Sequence, residues 1–288
     1  MSHLVAVLLL AVDCVMRAWR IQLATWAAGG RLSFRDAFRL NLYGEAASTL
    51  TPNRLGGEPA RFLGMTWAGV RPVTSLVGLG VEVAAEWPVF GLVAVALAVY
   101  YIPDWSAAAS LWLERNLARD LLLLEIAALI ALLAIWGLQR LVRAGAIRHR
   151  VRRQWRVALA HVRRARWWVL VAGALLTVVS LAARALMLPA LAWGLPGAPP
   201  LDVMFFGALA LLHAVLFVPL PSGGGGVEVA FLAGFAGHFG PDQQVIMLLL
   251  WRFYTAVLLT ALGLYLLIRT HGGAAARELL TIGWFRRA

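Results

Sequence analysis

Apolar residues run for about the thickness of a membrane in five places along this 288-residue chain, at approximately 4–27, 73–101, 118–141, 167–190 and 243–269. A helix needs about 20 mostly apolar residues to cross roughly 30 Å of hydrocarbon, so each run predicts a spanning helix. Two further apolar regions, 33–70 and 201–239, are interrupted near their centres by proline and glycine. The arms beside each interruption are short for a crossing, which predicts a re-entrant helical hairpin in each region. Two full crossings stay open as the alternative, above all for 33–50 and 201–220.

The two interruptions resemble each other. "TPNRLGGEPARFLG" at 51–64 aligns without a gap on "LPSGGGGVEVAFLA" at 220–233. Pro52 meets Pro221, Gly56 and Gly57 meet Gly225 and Gly226, and Phe62 and Leu63 meet Phe231 and Leu232. Gly223 and Gly224 complete the second turn, while Glu58 and Glu228 stand one position apart. Each break follows a helix with arginine in its later half, Arg17 or Arg20 in the first case and Arg184 in the second. In this reading proline ends the incoming half-helix by removing a backbone donor, glycine permits the reversal, and the acid sits at the positive end of the outgoing arm.

The expected fold is therefore an all-α polytopic membrane protein, an inverted repeat of spanning helices with two re-entrant hairpins. Residues 1–101 form the first repeat around the hairpin 33–70, and 167–269 form the second around 201–239. Between them lie an extracytoplasmic segment with a linking span (102–141) and a basic cytoplasmic loop (142–166), and 270–288 is a cytoplasmic tail. Discontinuous helices that meet at the midplane are a recurring way to build a substrate site in transporters. Irregular backbone at that depth must be buried in protein or line a wet cavity.

Ionisable groups at membrane depth cost several kcal/mol each unless they are paired, by roughly 2.5–3.5 kcal/mol on insertion scales. The candidates are Asp13, Arg17, Arg20, Glu45, Arg54, Glu58, Arg61, Glu82, Glu86, Glu125, Arg184, His213, Glu228 and Arg252. Asp13 and Arg17 are four apart and can pair on one helical face with no larger role; Glu58 and Arg61 are three apart and Glu82 and Glu86 four apart. Two readings stand side by side. Either the set neutralises itself as structural pairs, or the arginines hold an anionic headgroup while the acids offset an amine, accept a proton or hold the arginines. His213 and His238 read as hydrogen-bonded or interfacial histidines.

Composition narrows the class. The chain is 61% hydrophobic and only 14% charged, where soluble domains are nearer half and a quarter, so it belongs in a membrane. All 26 basic residues are arginine against 14 acids. Genomic base composition accounts for that bias, and bidentate phosphate recognition is the sharper reading. The net charge of +12 does not point to nucleic acid, because it concentrates in 140–166, "RLVRAGAIRHRVRRQWRVALAHVRRAR". Such a segment is expected on the cytoplasmic side, beside anionic headgroups. Counting spans from it places "YYIPDWSAAASLWLERN" outside and the arginine-bearing tail inside. The N-terminal run has no basic leader or cleavage site and reads as a retained helix. With Cys14 as the one cysteine, no internal disulfide can form, and no metal-ligand spacing is present. "PSGGGGVE" is neither a Walker A loop nor a dinucleotide fingerprint, and HExxH and GxSxG are absent. No cofactor and no catalytic residue are expected.

The combination of "TLTPNRLGGEPARFLGMTWAGV", a long span with acids, "PLPSGGGGVEVAFLAGFAGHFG" and "WRFYTAVLLTALGL" resembles the lysylphosphatidylglycerol synthase transmembrane family. The resemblance covers nearly the whole chain. It implies two re-entrant hairpins and movement of lipid between the leaflets of a prokaryotic cytoplasmic membrane. Matching motif to motif, it carries over Pro52, Arg54, Gly56, Gly57, Glu58 and Arg61 in the first half, and Pro221, Gly225, Gly226, Glu228 and Arg252 in the second. With Glu82, Glu86 and Arg184 these are the expected substrate-binding and turn residues.

There are departures. Members commonly carry another helix before the "RAWR" segment, so this chain is expected to lack one or borrow it from a partner, which makes a homo-oligomer an expectation. The family's acid–arginine pair after the first hairpin is here "EVAAEW". A soluble acyltransferase-like domain is not expected, so aminoacylation of the lipid would need another polypeptide. Three functions remain in view. The first is a flippase or scramblase for an anionic or zwitterionic phospholipid, including an aminoacylated one. The second is an accessory subunit presenting polyprenyl-phosphate or glycolipid substrates to a separate synthase or glycosyltransferase. The third is a small-solute secondary transporter.

Overall fold

The computed structural model describes residues 1–102 and 167–281 apart from 53, 216, 217 and 219. The span expected at 118–141, Glu125, the extracytoplasmic segment and the basic loop lie outside the described residues. Among the described residues every regular element is helical. In chain order they are α1 (Ser2–Ala27), α2 (Phe34–Leu50), α3 (Gly57–Trp67), α4 (Pro72–Ile102), α5 (Trp167–Ala185), α6 (Met187–Ala192), α7 (Leu201–Ala214), α8 (Gly226–Gly234) and α9 (Pro241–Arg252). A π-helical turn, Phe253–Val257, leads into α10 (Leu258–Thr281).

The chain divides into two compact units, Met1–Leu92 with Ala165–Ala288, and Val93–Arg164. In the second unit the described part is the end of α4, where the rings of Tyr100 and Tyr101 meet edge to face. The first unit is organised around α1. Its buried face repeats at three- and four-residue spacing through Ala6, Leu10, Asp13, Cys14, Arg17, Ala18, Ile21 and Ala24, with Arg20 beside it. That face packs against α2, α5 and α6. The charges of α1 therefore point inward, while Leu4, Val5, Leu8 and Val12 face outward.

The apolar core joins α1, α2, α3, α4 and α10 through Ala18, Ile21, Leu40, Tyr43, Ala60, Met65, Leu79 and Leu267. Ser33 caps α2, its hydroxyl accepting the Asp36 N–H at 3.1 Å, which supplies a partner for one otherwise orphaned donor. α10 approaches α2 closely at Gly263. A side chain there would strike the Leu42 carbonyl and the Ala46 methyl.

Three described helices are long and apolar enough to cross a membrane: Pro72–Ile102, Trp167–Ala192 and Asp242–Gly273. They coincide with the runs expected at 73–101, 167–190 and 243–269. α1 occupies the expected 4–27 and has 26 residues, with three charges inside it. The broken regions yield short pieces. α2 has 17 residues and α3 has 11, while α7 has 14 and α8 only 9. At 1.5 Å per residue none exceeds about 26 Å, short of the roughly 30 Å of a hydrocarbon core.

One expectation about the breaks needs correction. α2 stops at Leu50, and Thr51 takes the extended conformation (φ −112°, ψ 146°) that a residue before proline prefers. Pro52 thus fits as the terminator of α2. α7, however, stops at Ala214, seven residues before Pro221. Pro221 shapes the second turn without ending the helix that leads into it.

Candidate functional site

The two turns meet. Pro52 and Pro221, the residues paired by the ungapped alignment, form an antiparallel backbone bridge. Around that contact the turns share their first two hydrogen bonds. The Arg54 N–H donates to the Thr51 carbonyl and Leu55 to Pro52, as Gly223 donates to Leu220 and Gly224 to Pro221. Arg54 and Gly223 occupy equivalent positions and both have left-handed backbone, with φ of 58° and 65°. α3 and α8 then begin at the equivalent Gly57 and Gly226. Both outgoing helices carry an acid in the first turn, Glu58 and Glu228, where helix N-termini favour negative charge.

Behind the turns the inward charges sort into three groups. In the first, Arg17 donates to Asp13 at 2.8 Å and to Glu45 at 2.7 Å, and Arg54 reaches the other Glu45 oxygen at 2.9 Å. Arg184 approaches Asp13 at 2.7 Å and Glu45 at 3.5 Å. In the second, Arg20 holds Glu82 at 2.9 Å and Glu86 at 3.2 Å, and Arg61 holds Glu82 at 3.1 Å and Glu58 at 3.2 Å. The third is Arg252, whose Nε pairs with Glu228 at 2.8 Å. Its terminal nitrogen also donates to the carbonyl and hydroxyl of Ser222, at 3.0 and 2.9 Å.

Burial makes these pairings consequential. Asp13, Arg20, Glu45, Glu82 and Arg184 are all less than 5% exposed. A charge left alone at such a position costs several kcal/mol, whereas a full set of partners brings the cost near zero. Hydroxyls add partners, while the second Glu82 oxygen and the Arg61 Nε have none among the described residues. Ser180 donates to Asp13, and Thr177 accepts from Arg20 at 2.8 Å while donating to the Gly173 carbonyl. Asp13 consequently does more than pair with Arg17: it joins α1 to α5 through Ser180 and Arg184.

The groups surround a cavity of about 310 Å³. Pockets of roughly 300–1,000 Å³ hold small ligands, and this one lies at the lower end of that range. Its charged lining is Arg17, Glu45, Arg54, Glu58, Arg61, Glu86, Arg184 and Arg252. Of the expected binding residues, Arg54, Glu58, Arg61, Glu86, Arg184 and Arg252 reach its wall. Glu82 stands behind Arg20 and Arg61, and Glu228 behind Arg252; neither is part of the lining.

Sequence reasoning did not single out Ser48, Ser222, Trp87, Phe90, Trp251 or Thr255, which also line the cavity. Trp251 is 1% exposed, and its indole N–H has no hydrogen-bond partner among the described residues. The π-helical turn that follows Arg252 places Thr255 and Ala256 on the wall. Such turns recur at functional sites because one extra residue per turn re-aims the side chains around it. His213, read as a hydrogen-bonded histidine, has its Nδ1 at 2.8 Å from the Leu209 carbonyl, with its ring edge-on to Phe90.

The family described as the lysylphosphatidylglycerol synthase TM region matches residues 2–263. No curated protein matches the chain. A match over so much of the chain assigns it: this is a membrane protein of the lysylphosphatidylglycerol synthase transmembrane family.

Proposed function

We propose that this family member moves a phospholipid between the two leaflets of a prokaryotic cytoplasmic membrane, its headgroup passing through the charged cavity while the acyl chains stay in the bilayer. One observation carries the reading. Two interrupted helical regions bring matched turns into backbone contact beside a cavity walled by five arginines and three glutamates. Polar lining of that density between apolar helices has a purpose if a charged group must cross. The outward apolar faces, such as Val171, Leu175, Val178 and Val179 of α5, suit contact with acyl chains.

In this proposal the chain is an inverted repeat, α2–α3 and α7–α8 are re-entrant hairpins, and the turns meet near the bilayer midplane. The basic loop and the C-terminus face the cytoplasm by the positive-inside rule. Arg54 is among the arginines that face the phosphate, and the carboxylates hold them in place. The chain itself performs no chemistry on the lipid. A synthase or glycosyltransferase that modifies the lipid is the expected functional neighbour.

The test is reconstitution of the full chain into vesicles with an acyl-labelled phospholipid, following loss of inner-leaflet protection from an external quencher. Wild type is expected to exceed protein-free vesicles, and Arg54→Ala and Glu228→Gln to fall well below wild type. Lipid movement no faster than in protein-free vesicles sinks the reading.

A further inference from the structure

The three groups of charges do not each balance. In the group built on Asp13 and Glu45, three arginines (Arg17, Arg54, Arg184) face two acids. In the group built on Glu82, two arginines (Arg20, Arg61) face three acids (Glu58, Glu82, Glu86). Arg252 and Glu228 cancel. The site as a whole is neutral, with a positive excess in one part and an equal negative excess in another.

Helix positions separate the two parts along one direction. On α1 the positive group holds residues 13 and 17 and the negative group residue 20; on α5 the positive group holds 180 and 184 and the negative group 177. Three residues of helix are about 4.5 Å, so the groups are stacked roughly one helical turn apart. Of the side chains that line the cavity in these two groups, the most exposed are Glu58 at 50%, Arg54 at 24% and Glu86 at 17%. Trp87 and Phe90 line the cavity one residue and one turn beyond Glu86, adding aromatic faces that attract cations. Trp251 adds a buried indole N–H without a partner among the described residues, a donor suited to an anionic oxygen.

We infer that the cavity takes a dipolar, net-neutral headgroup, with a phosphate in the layer of Arg17, Arg54 and Arg184 and an amine in the layer of Glu58 and Glu86. This rests on the proposal that a lipid passes here. A phosphate and an ammonium joined by a two-carbon bridge match both the sign and the spacing of the layers. A headgroup carrying phosphate alone leaves the excess carboxylate unmatched, and one carrying two amines leaves a surplus cation. Each uncompensated charge at this depth slows passage.

The full chain is reconstituted into vesicles carrying one acyl-labelled probe at a time: phosphatidylethanolamine, phosphatidylglycerol or lysyl-phosphatidylglycerol, with net charges of about 0, −1 and +1. Uptake of water-soluble glycerophosphoethanolamine is followed in parallel. The ethanolamine lipid is expected to move roughly tenfold faster than either charged probe. Glu58→Gln leaves two arginines facing two acids, which removes the negative excess, and is expected to bring phosphatidylglycerol close to the ethanolamine lipid. Arg54→Gln removes the positive excess and is expected to slow phosphatidylglycerol further. Opposite changes of preference distinguish charge matching from damage to the fold, which slows all three probes together.

If a charged probe moves as fast as the neutral one in wild type, the dipolar assignment falls and lipid translocation stands. If the soluble zwitterion enters while no lipid moves, lipid translocation falls and the dipolar site stands. If nothing moves, both fall.

Discussion

The first turn and the second turn begin with the same backbone hydrogen bonds, part at Gly56 (φ −74°) and its equivalent Gly225 (φ 78°), and are held by different means. Thr51 staples the first: its hydroxyl donates to the Ala47 carbonyl at 2.7 Å and accepts the Gly56 N–H at 2.8 Å. Arg54 keeps a left-handed backbone there and extends to Glu45 inside the buried network. In the second turn the equivalent of Arg54 is Gly223, for which left-handed backbone is free of the side-chain penalty. That turn is held by one side chain, Arg252, reaching Ser222 and Glu228 from the end of α9. Side chains wire the first turn into the core, while among the described residues the second is held by Arg252 on Ser222, itself left-handed at φ 58°, and is shaped by glycine.

Removing the anchor of the first turn breaks this contrast most severely. Glu45→Ala takes from Arg54 its acid and leaves Arg17 and Arg184 to Asp13 alone, in a site where Glu45 is 1% exposed. Deleting one member of a buried ionic set costs about 3–5 kcal/mol, because the charges left behind stay desolvated. Thermal unfolding in detergent is expected to show a drop of that order. The corresponding change in the second turn, Glu228→Ala, is expected to cost clearly less, since Glu228 is 30% exposed and Arg252 keeps Ser222. Equal losses would mean that the two turns are wired alike.

A smaller effect separates two glycines of the second turn. Gly223→Ala forces an L side chain into left-handed backbone, and its methyl would come within 2.8 Å of a Val227 methyl. Left-handed backbone costs roughly 1–2 kcal/mol for a residue with a Cβ, so a loss near 2 kcal/mol is expected. Gly225 has a φ of 78° but nothing within 4 Å of the added carbon, so Gly225→Ala is expected to lose only about 1 kcal/mol. The difference between them, measured by the same unfolding assay, reads how tightly α8 packs on its own turn.

How much of this was legible in the sequence depends on distance along the chain. The long apolar runs showed through composition alone, and the breaks through Pro52, Pro221 and the glycines, because local backbone chemistry is written locally. Arg61 with Glu58 and Arg17 with Asp13 were legible as three- and four-residue spacings. Arg17 with Glu45, Arg20 with Glu82 and Arg184 with Asp13 were not, since many residues separate the partners and any inward arginine could meet any inward acid. Glu58 and Glu228 stand one position apart in the alignment. Their one-residue offset is a rotation of about 100° around the helix, and Glu58 pairs within α3 whereas Glu228 pairs with α9. Trp251, Phe90 and Ser222 carried no signal, for an apolar helix shows them as ordinary residues until packing turns them to the cavity.

The finest test of the comparison exchanges the solution of one turn for that of the other. Arg54→Gly gives the first turn the residue type that the second has at the equivalent position, while Arg54→Ala removes the same guanidinium but keeps a Cβ in left-handed backbone. Both variants lose the contact with Glu45, which retains Arg17 and Arg184, so the electrostatic loss is common to the two. What differs is backbone strain, roughly 1–2 kcal/mol in favour of glycine. Against it stands the greater freedom of glycine in the unfolded chain, about 0.5–1 kcal/mol. The glycine variant is therefore expected to be more stable than the alanine variant by about 0.5–1 kcal/mol, a shift of a degree or a few in the unfolding midpoint. Both are expected to slow lipid movement equally, because the cavity loses one positive charge in each. If alanine proves the more stable, Arg54 sits in its turn without strain, and its identity there owes nothing to a balance between backbone cost and the charge it delivers.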